Sequence, residues 1–117
     1  MGTINLEKYS TYLLLVFIFL SSSCSPSKIG KPTHTPQVHI VEILASQYEP
    51  SVLTIQSGDV VKWINRDTAP HQLAGFFGEK LQTGILSQGK SYSRVIKVST
   101  SYACVIHPEM LGSVIVR

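Results

Sequence analysis

Three side chains that bind soft metal ions stand within seven residues of one another near the C-terminus. Cys104 offers a thiolate, His107 an imidazole and Met110 a thioether, and copper prefers these donors to harder ones. A fourth candidate ligand, His71, follows a loop that ends in Pro70. Two histidines and a cysteine supply the trigonal plane of a type 1 copper site, and a methionine supplies its weak axial ligand. The sequence therefore predicts one copper ion held by His71, Cys104, His107 and Met110.

Each of these residues also has an ordinary structural explanation. A lone cysteine in a strand is usually a small buried hydrophobe, and a lone methionine usually fills a gap in a core. In an oxidising compartment, Cys104 could instead form a disulfide with Cys24, the second of two cysteines. The occurrence of the full ligand set at strand ends favours the copper site. We interpret the remaining two histidines as outside it, His34 as a solvated linker residue and His39 as a structural or surface residue.

The segments that must position these ligands have the pattern of short β-strands. β-Branched residues cluster at 38–44, 52–55, 59–65, 94–98, 102–106 and 113–116. Turn-forming sequences such as Ser57-Gly58-Asp59 and Gln88-Gly89-Lys90 separate them, and no segment has a sustained helical period. Short strands at intervals of about ten residues predict an all-β fold, an antiparallel Greek-key β-sandwich.

The composition limits the chain to one small domain preceded by an export segment. Of 117 residues, 44% are hydrophobic and 15% charged, which disfavours a disordered chain, a coiled coil or a disulfide-rich scaffold. Residues 1–23 are typical of an export signal, with an unbroken apolar run at 13–20 and three serines before Cys24. Residues 24–37 contain three of the six prolines and are predicted to form a flexible tether. The predicted copper-binding domain comprises residues 38–117.

The position of Cys24 resembles that of the acylated cysteine of bacterial lipoproteins. The match is partial, because Ser21 stands where an aliphatic residue is usual. Cleavage by the ordinary signal peptidase, leaving Cys24 free or in a disulfide, is the alternative. In either case we expect an exported protein, periplasmic or at the cell surface, and lipid on Cys24 would anchor it to a membrane.

The folded part resembles the cupredoxin family over essentially all of residues 38–117. The spacing Cys-x2-His-x2-Met is the shortest loop of the family and is most similar to that of amicyanin, whereas plastocyanin and pseudoazurin, the other members of the most similar group, place the methionine two residues further on. The other matching segments are Tyr48-Glu49-Pro50, Ser57-Gly58-Asp59-Val60-Val61, Trp63-Ile64-Asn65, Pro70-His71, Tyr102-Ala103-Cys104 and His107-Pro108-Glu109-Met110-Leu111-Gly112. Two positions depart from the family pattern: Gln72 replaces the usual Asn or Thr that ties the ligand loops together, and residues 98–101 replace a Gly-containing turn.

The resemblance implies a carrier of single electrons that uses one type 1 copper ion. It also implies that His71 is buried, whereas His107 reaches the surface within an apolar rim. Pro108 and Leu111 belong to that rim, where redox partner proteins are expected to dock. A role in copper storage, delivery or resistance is the alternative function, and a metal-free surface module is a third.

Several functions are disfavoured by motifs that the sequence lacks. Residues 105–110 contain no second cysteine for a binuclear copper centre, and the His-x-His pairs of multicopper oxidases do not occur. Because no catalytic arrangement is apparent, we predict that the protein is not an enzyme. The formal charge of +3 is spread along the chain, which does not suggest nucleic acid but allows a weak bias toward acidic redox partners. We expect a monomer.

Overall fold

A computed structural model describes Gly30 and residues 33–117. The predicted export signal, Cys24 and most of the predicted tether lie outside these residues, while His34–Arg117 forms one compact unit. Its strands are β1 (Val38–Leu44), β2 (Gln47–Glu49), β3 (Val52–Ile55), β4 (Asp59–Asn65), β5 (Leu73–Gly78), β6 (Ser91–Ile96), β7 (Thr100–Cys104) and β8 (Leu111–Val116). Among the described residues, no helix is long and apolar enough to cross a membrane.

The strands form two four-stranded sheets, ordered β2-β1-β4-β6 and β3-β8-β7-β5. The predicted all-β sandwich is therefore confirmed. Its sheets differ from the expected ones in one respect, because each contains one parallel pair, β1 with β4 and β3 with β8. The reason is that β3 crosses to the second sheet before the chain returns as β4, so β4 runs beside β1 in the same direction.

Two strands escaped the sequence pattern. β2 has only three residues, and β5 has the sequence LAGFFG, whose two glycines disfavour a strand. β5 forms an edge of its sheet and has a bulge between Gly75 and Phe77. Sheet edges and bulges tolerate glycine, so tertiary pairing with β7 overrides the weak local preference.

The core is built from alternating side chains of both sheets. Val41 and Ile43 of β1 are fully buried, as the alternation in 38–44 predicted. At the centre, the ring of Tyr102 packs edge-on against Trp63, with centroids 5.5 Å apart, and against Tyr48 at 4.9 Å. Burial raises the pKa of Tyr102 to about 12.

The Tyr102 ring fits closely against the backbone of the neighbouring strand. Gly112 of β8 is paired with Tyr102 of β7, and a Cβ atom at Gly112 would lie 2.4 Å from the Cζ atom of the ring. Real Cβ atoms do not approach a carbon this closely, so residue 112 must be glycine for the ring to occupy this position. Because Met110 is only two residues away, this contact also sets the path of the predicted metal-binding loop into β8.

Candidate metal centre

Three of the four predicted ligands converge at one end of the sandwich. His71, Cys104 and His107 each offer a ligand atom, and these atoms lie within 4.8 Å of one another. The Cys104 Sγ atom is 3.7 Å from His71 Nδ1 and 3.8 Å from His107 Nδ1. Cys104 is the last residue of β7, His107 lies in the following loop, and His71 comes from a loop 33 residues earlier.

These separations suit a bound metal ion. Bonds of about 2.3 Å to sulfur and about 2.0 Å to nitrogen are typical of a first-row ion such as zinc, and at a trigonal angle of about 120° they place the two atoms about 3.7 Å apart. The measured distances of 3.7 and 3.8 Å match this spacing. A thiolate and two imidazoles are moreover the donor set of a type 1 copper site. The residues therefore fit a copper ion.

Backbone hydrogen bonds fold the loop from 104 to 110 back on itself. The Met110 N–H donates to the His107 carbonyl at 2.9 Å, and the Cys104 N–H donates to the Met110 carbonyl at 3.1 Å. This brings the main chain of Met110, the fourth predicted ligand, beside Cys104. The Met110 side chain is buried, with 3% of its surface exposed.

His71 is held on both its backbone and its ring. Its N–H donates to the Leu86 carbonyl at 3.1 Å, and the Leu86 N–H donates to the His71 carbonyl at 2.7 Å. On the ring, Nε2–H donates to the Asp67 carboxylate at 3.1 Å. With the proton on Nε2, the lone pair of Nδ1 is left free on the side that faces Cys104. A carboxylate behind a histidine in this way fixes the tautomer and ring orientation of a metal ligand.

Asp67 was not singled out from the sequence, although its spacing of four residues from His71 was a usable signal. Its carboxylate also accepts a hydrogen bond from the Ser46 N–H at 3.0 Å. The hydrogen bond from His71, followed by that from Ser46, lowers the pKa of Asp67. Asp67 thus stays ionised at neutral pH and acts as an acceptor only.

Asn65 organises the loop that carries His71. Its Nδ2 donates to the carbonyls of Ala69 and Leu86, both at 2.8 Å, and its Oδ1 accepts the Asp67 N–H at 2.8 Å. The side chain is fully buried. One amide group therefore connects the end of β4 to the two segments that hold His71, the loop that contains Asp67 and Ala69 and the segment that contains Leu86.

Gln72, which stands where the family usually has Asn or Thr, does not join the two ligand loops through its side chain. The Gln72 side chain donates to the Thr83 carbonyl at 3.1 Å instead of bridging to the cysteine loop. The bridge is made by its backbone, because the Val105 N–H donates to the Gln72 carbonyl at 2.7 Å. The two ligand loops are thus joined next to Cys104 whichever side chain stands at 72.

The two histidines differ in exposure as the resemblance implied. His71 is fully buried, whereas His107 is partly exposed. The residues that flank His107 in the sequence include four with exposed apolar side chains, and we call this set the apolar rim. It consists of Val105, Ile106, Pro108 and Leu111.

Cys104 is a free thiol within the described part of the chain and is 1% exposed. The alternative disulfide would involve Cys24, which lies outside the described residues. The contacts of Cys104 with two imidazole nitrogens distinguish it from a cysteine that only fills space in a core. The arrangement can bind a soft metal ion between two buried ligands, His71 and Cys104, and the partly exposed His107.

Comparison with known proteins finds similar sequences and similar solved structures, although no family model matches the chain. Amicyanin from Paracoccus denitrificans is 35% identical over 84 residues, which cover 67% of this chain and 64% of that protein. The chain therefore spans a little under two thirds of the length of the curated amicyanin that it matches.

Solved structures match in the same way. A reduced amicyanin variant superposes with a TM-score of 0.62 at 34% identity, covering 68% of this chain and 82% of the other. A copper-containing nitrite reductase from Thermus scotoductus superposes with a TM-score of 0.65 at 24% identity, covering 76% of this chain but only 24% of the enzyme. At that identity the second match indicates a shared fold alone.

Proposed function

The chain belongs to the cupredoxin family, and from this premise we propose that it carries single electrons through one type 1 copper ion bound by His71, Cys104, His107 and Met110. The observation that carries the proposal is the approach of two imidazole Nδ1 atoms to one thiol sulfur at 3.7 and 3.8 Å. Cupredoxins of the amicyanin type are electron carriers rather than enzymes, and we propose the same for this chain.

The residues around the site suit repeated electron transfer because they hold the ligands in place. Bound copper supplies a one-electron couple between its two oxidation states. Asp67 keeps the His71 proton on Nε2, and the bond between Val105 and Gln72 joins the ligand loops. Ligands held in this way move little when the charge on the metal changes, which lowers the reorganisation that accompanies each transfer.

Copper titration of the purified chain tests this function. We expect an intense blue absorption near 600 nm, on the order expected for thiolate-to-Cu(II) charge transfer, with an EPR signal of small hyperfine splitting. The Cys104→Ser variant should bind copper without the blue colour, because the thiolate is lost. A colourless wild-type product with an ordinary EPR signal would defeat the proposal.

The alternative of copper storage, delivery or resistance differs in how the metal is released. Three of the proposed ligands are almost fully buried, which favours retention of the ion over its transfer to another protein. Rapid electron self-exchange with retained copper supports the carrier. Transfer of copper to a partner apoprotein supports the alternative.

We propose that redox partners dock on the apolar rim around His107. Leu111 is 58% exposed directly after the metal-binding loop, and a contiguous patch formed by the rim would be typical of an interaction site. Leu111→Glu should slow electron exchange with a partner about tenfold while leaving the blue spectrum intact. Val98→Glu, a matched change at an exposed valine between β6 and β7, should leave the rate unchanged.

The charge of the folded part is smaller than that of the whole chain. Residues 34–117 contain seven Lys/Arg and six Asp/Glu, and Lys8, Lys28 and Lys31 account for the remaining basic residues. The weak bias toward acidic partners expected from the overall charge therefore has little basis in this domain. We propose a mainly apolar contact between a monomer and its partner, with a rate that depends weakly on ionic strength.

We propose that residues 1–23 direct export and that Cys24 carries lipid, which would place the domain on the outer side of a membrane. The support is the sequence pattern described above, since these residues lie outside the described structure. Mass spectrometry of the chain expressed in a bacterium tests this, because acylation adds the mass of the lipid to a chain that begins at Cys24. Cys24→Ser should abolish that species, and an unmodified wild-type chain would contradict the proposal.

A further inference from the structure

One buried carboxylate gathers four hydrogen-bond donors at the start of β4. Asp59 Oδ1 accepts His34 Nε2–H at 2.5 Å and the Gln37 N–H at 2.8 Å. Asp59 Oδ2 accepts His39 Nε2–H at 2.8 Å and the Gln56 N–H at 3.1 Å. Asp59 itself is only 2% exposed.

Two of these donors come from a segment that the sequence predicted as tether. His34 was expected to be solvated, but its ring is half-buried and bonded to Asp59. Gln37 contributes its N–H to Asp59, and its carbonyl accepts the Val60 N–H at 2.8 Å. Residues 34–37, which we call the strap, are therefore attached to the sandwich. His39 and Gln56 belong to the sandwich itself, in β1 and just before β4.

The chemistry of the carboxylate makes this attachment strong. The Gln37 N–H, with further help from the two imidazoles and Gln56, holds the pKa of Asp59 well below its usual range. An ionised carboxylate only accepts hydrogen bonds, and such charge-assisted bonds are stronger than neutral ones. Among the described residues that line the cleft beside this cluster, Arg117 is the one other charged side chain.

The strap is attached at the end of the sandwich remote from the metal centre. Asp59 is the first residue of β4, and Asn65, which organises the His71 loop, is the last. Six residues of extended chain separate them, a distance of about 20 Å. The strap and the apolar rim therefore lie at opposite ends of the sandwich, measured along β4.

We propose that Asp59 acts as a clasp that fixes the exit point of the N-terminal segment at the end opposite the metal centre. Held in this way, the chain enters the sandwich at His34 beside the start of β4. This inference concerns residues 34–37 and does not depend on the proposed function.

Hydrogen exchange in the metal-free chain tests the clasp. His34→Ala removes a donor on the strap, and we expect the Gln37 and Val60 amides to exchange about tenfold faster or more. His39→Ala is the matched control, because it removes a donor on the sandwich side of the same carboxylate and should change these amides less than threefold. Unchanged exchange in His34→Ala would overturn the proposal, and so would equal acceleration in the two variants.

Global destabilisation must be separated from release of the strap. The amides of Val41 and Val61 in the core serve as the reference, and their exchange should be the same in His34→Ala as in the wild type. If they accelerate together with Gln37, the histidine supports overall stability and the strap is not a separately closed element, which also counts against the clasp.

The exit point itself can be measured in a chain that carries Cys24→Ser, Cys104→Ser and Thr33→Cys, so that a nitroxide is attached next to the strap. The nitroxide should broaden the NMR signals of residues 57–60 more strongly than those of residues 105–111. Adding His34→Ala should reduce this difference. Equal broadening of both ends with His34 in place would refute the clasp, and because no copper is present, this result is independent of the electron-carrier proposal.

Discussion

Replacing Asn65 with alanine is expected to damage the metal centre from a residue that is not a ligand. The change removes three side-chain hydrogen bonds of 2.8 Å, to Ala69, Leu86 and Asp67. At about 1 kcal/mol each, these bonds contribute about 3 kcal/mol to the free energy of unfolding. In a domain of this size that loss lowers the melting temperature by about 12–24 °C.

The same substitution should weaken copper binding. Leu86 and Asp67 are the residues that hold His71 by its backbone and by its ring, so loosening both lets the imidazole leave its position. Loss of such supporting contacts typically lowers metal affinity 10- to 100-fold. Compared with the wild type, the variant should have a lower melting temperature without copper, and copper should raise that temperature less.

Thermal unfolding followed by circular dichroism, with and without copper, measures both effects. Ser57→Ala is the control, because it removes one exposed hydrogen bond to the Lys97 carbonyl and should change the unfolding free energy by less than about 0.5 kcal/mol. If Asn65→Ala loses less than about 1 kcal/mol and binds copper as the wild type does, the role assigned to Asn65 is incorrect.

Three further substitutions have defined outcomes. Gly112→Ala forces the Tyr102 ring to move and should lower the free energy of unfolding, measured with a chemical denaturant, by about 1–3 kcal/mol. The decrease should be smaller in a Tyr102→Leu background, and an equal decrease in both backgrounds would contradict this cause. Asp67→Asn replaces the ionised acceptor of the His71 proton and should lower copper affinity about 10- to 100-fold in competition titrations. An unchanged affinity would mean that His71 is held by its backbone alone. Because folding lowers the pKa of Asp59, its stabilising effect is complete above pH about 4 and is lost as the pH falls further. Asp59→Asn should therefore lower the melting temperature at pH 7 more than at pH 2, where much of this stabilisation is lost, and an equal decrease at both would contradict this.

The strands that the sequence predicted and those that it missed differ in how much of their stability is local. Half of the residues in β1 and β4 are β-branched. The alternation in β1 and the apolar character of β4 indicate which side chains are buried. β5 contains two glycines and two exposed phenylalanines, so its strand conformation depends on pairing with β7. The parallel pairing of β1 with β4 also depends on where β3 lies, which no local pattern encodes.

Residues 104–110 determine much of the metal centre by themselves, because three donor types lie within one short loop and their softness selects copper. What they cannot determine is the partner 33 residues away, since His71 reaches Cys104 only when β5 pairs with β7. Tertiary structure likewise decided that Asp67 orients His71 and that Asp59 binds His34. A carboxylate in sequence looks the same whether it faces water or an imidazole, and only the fold brings the two groups together.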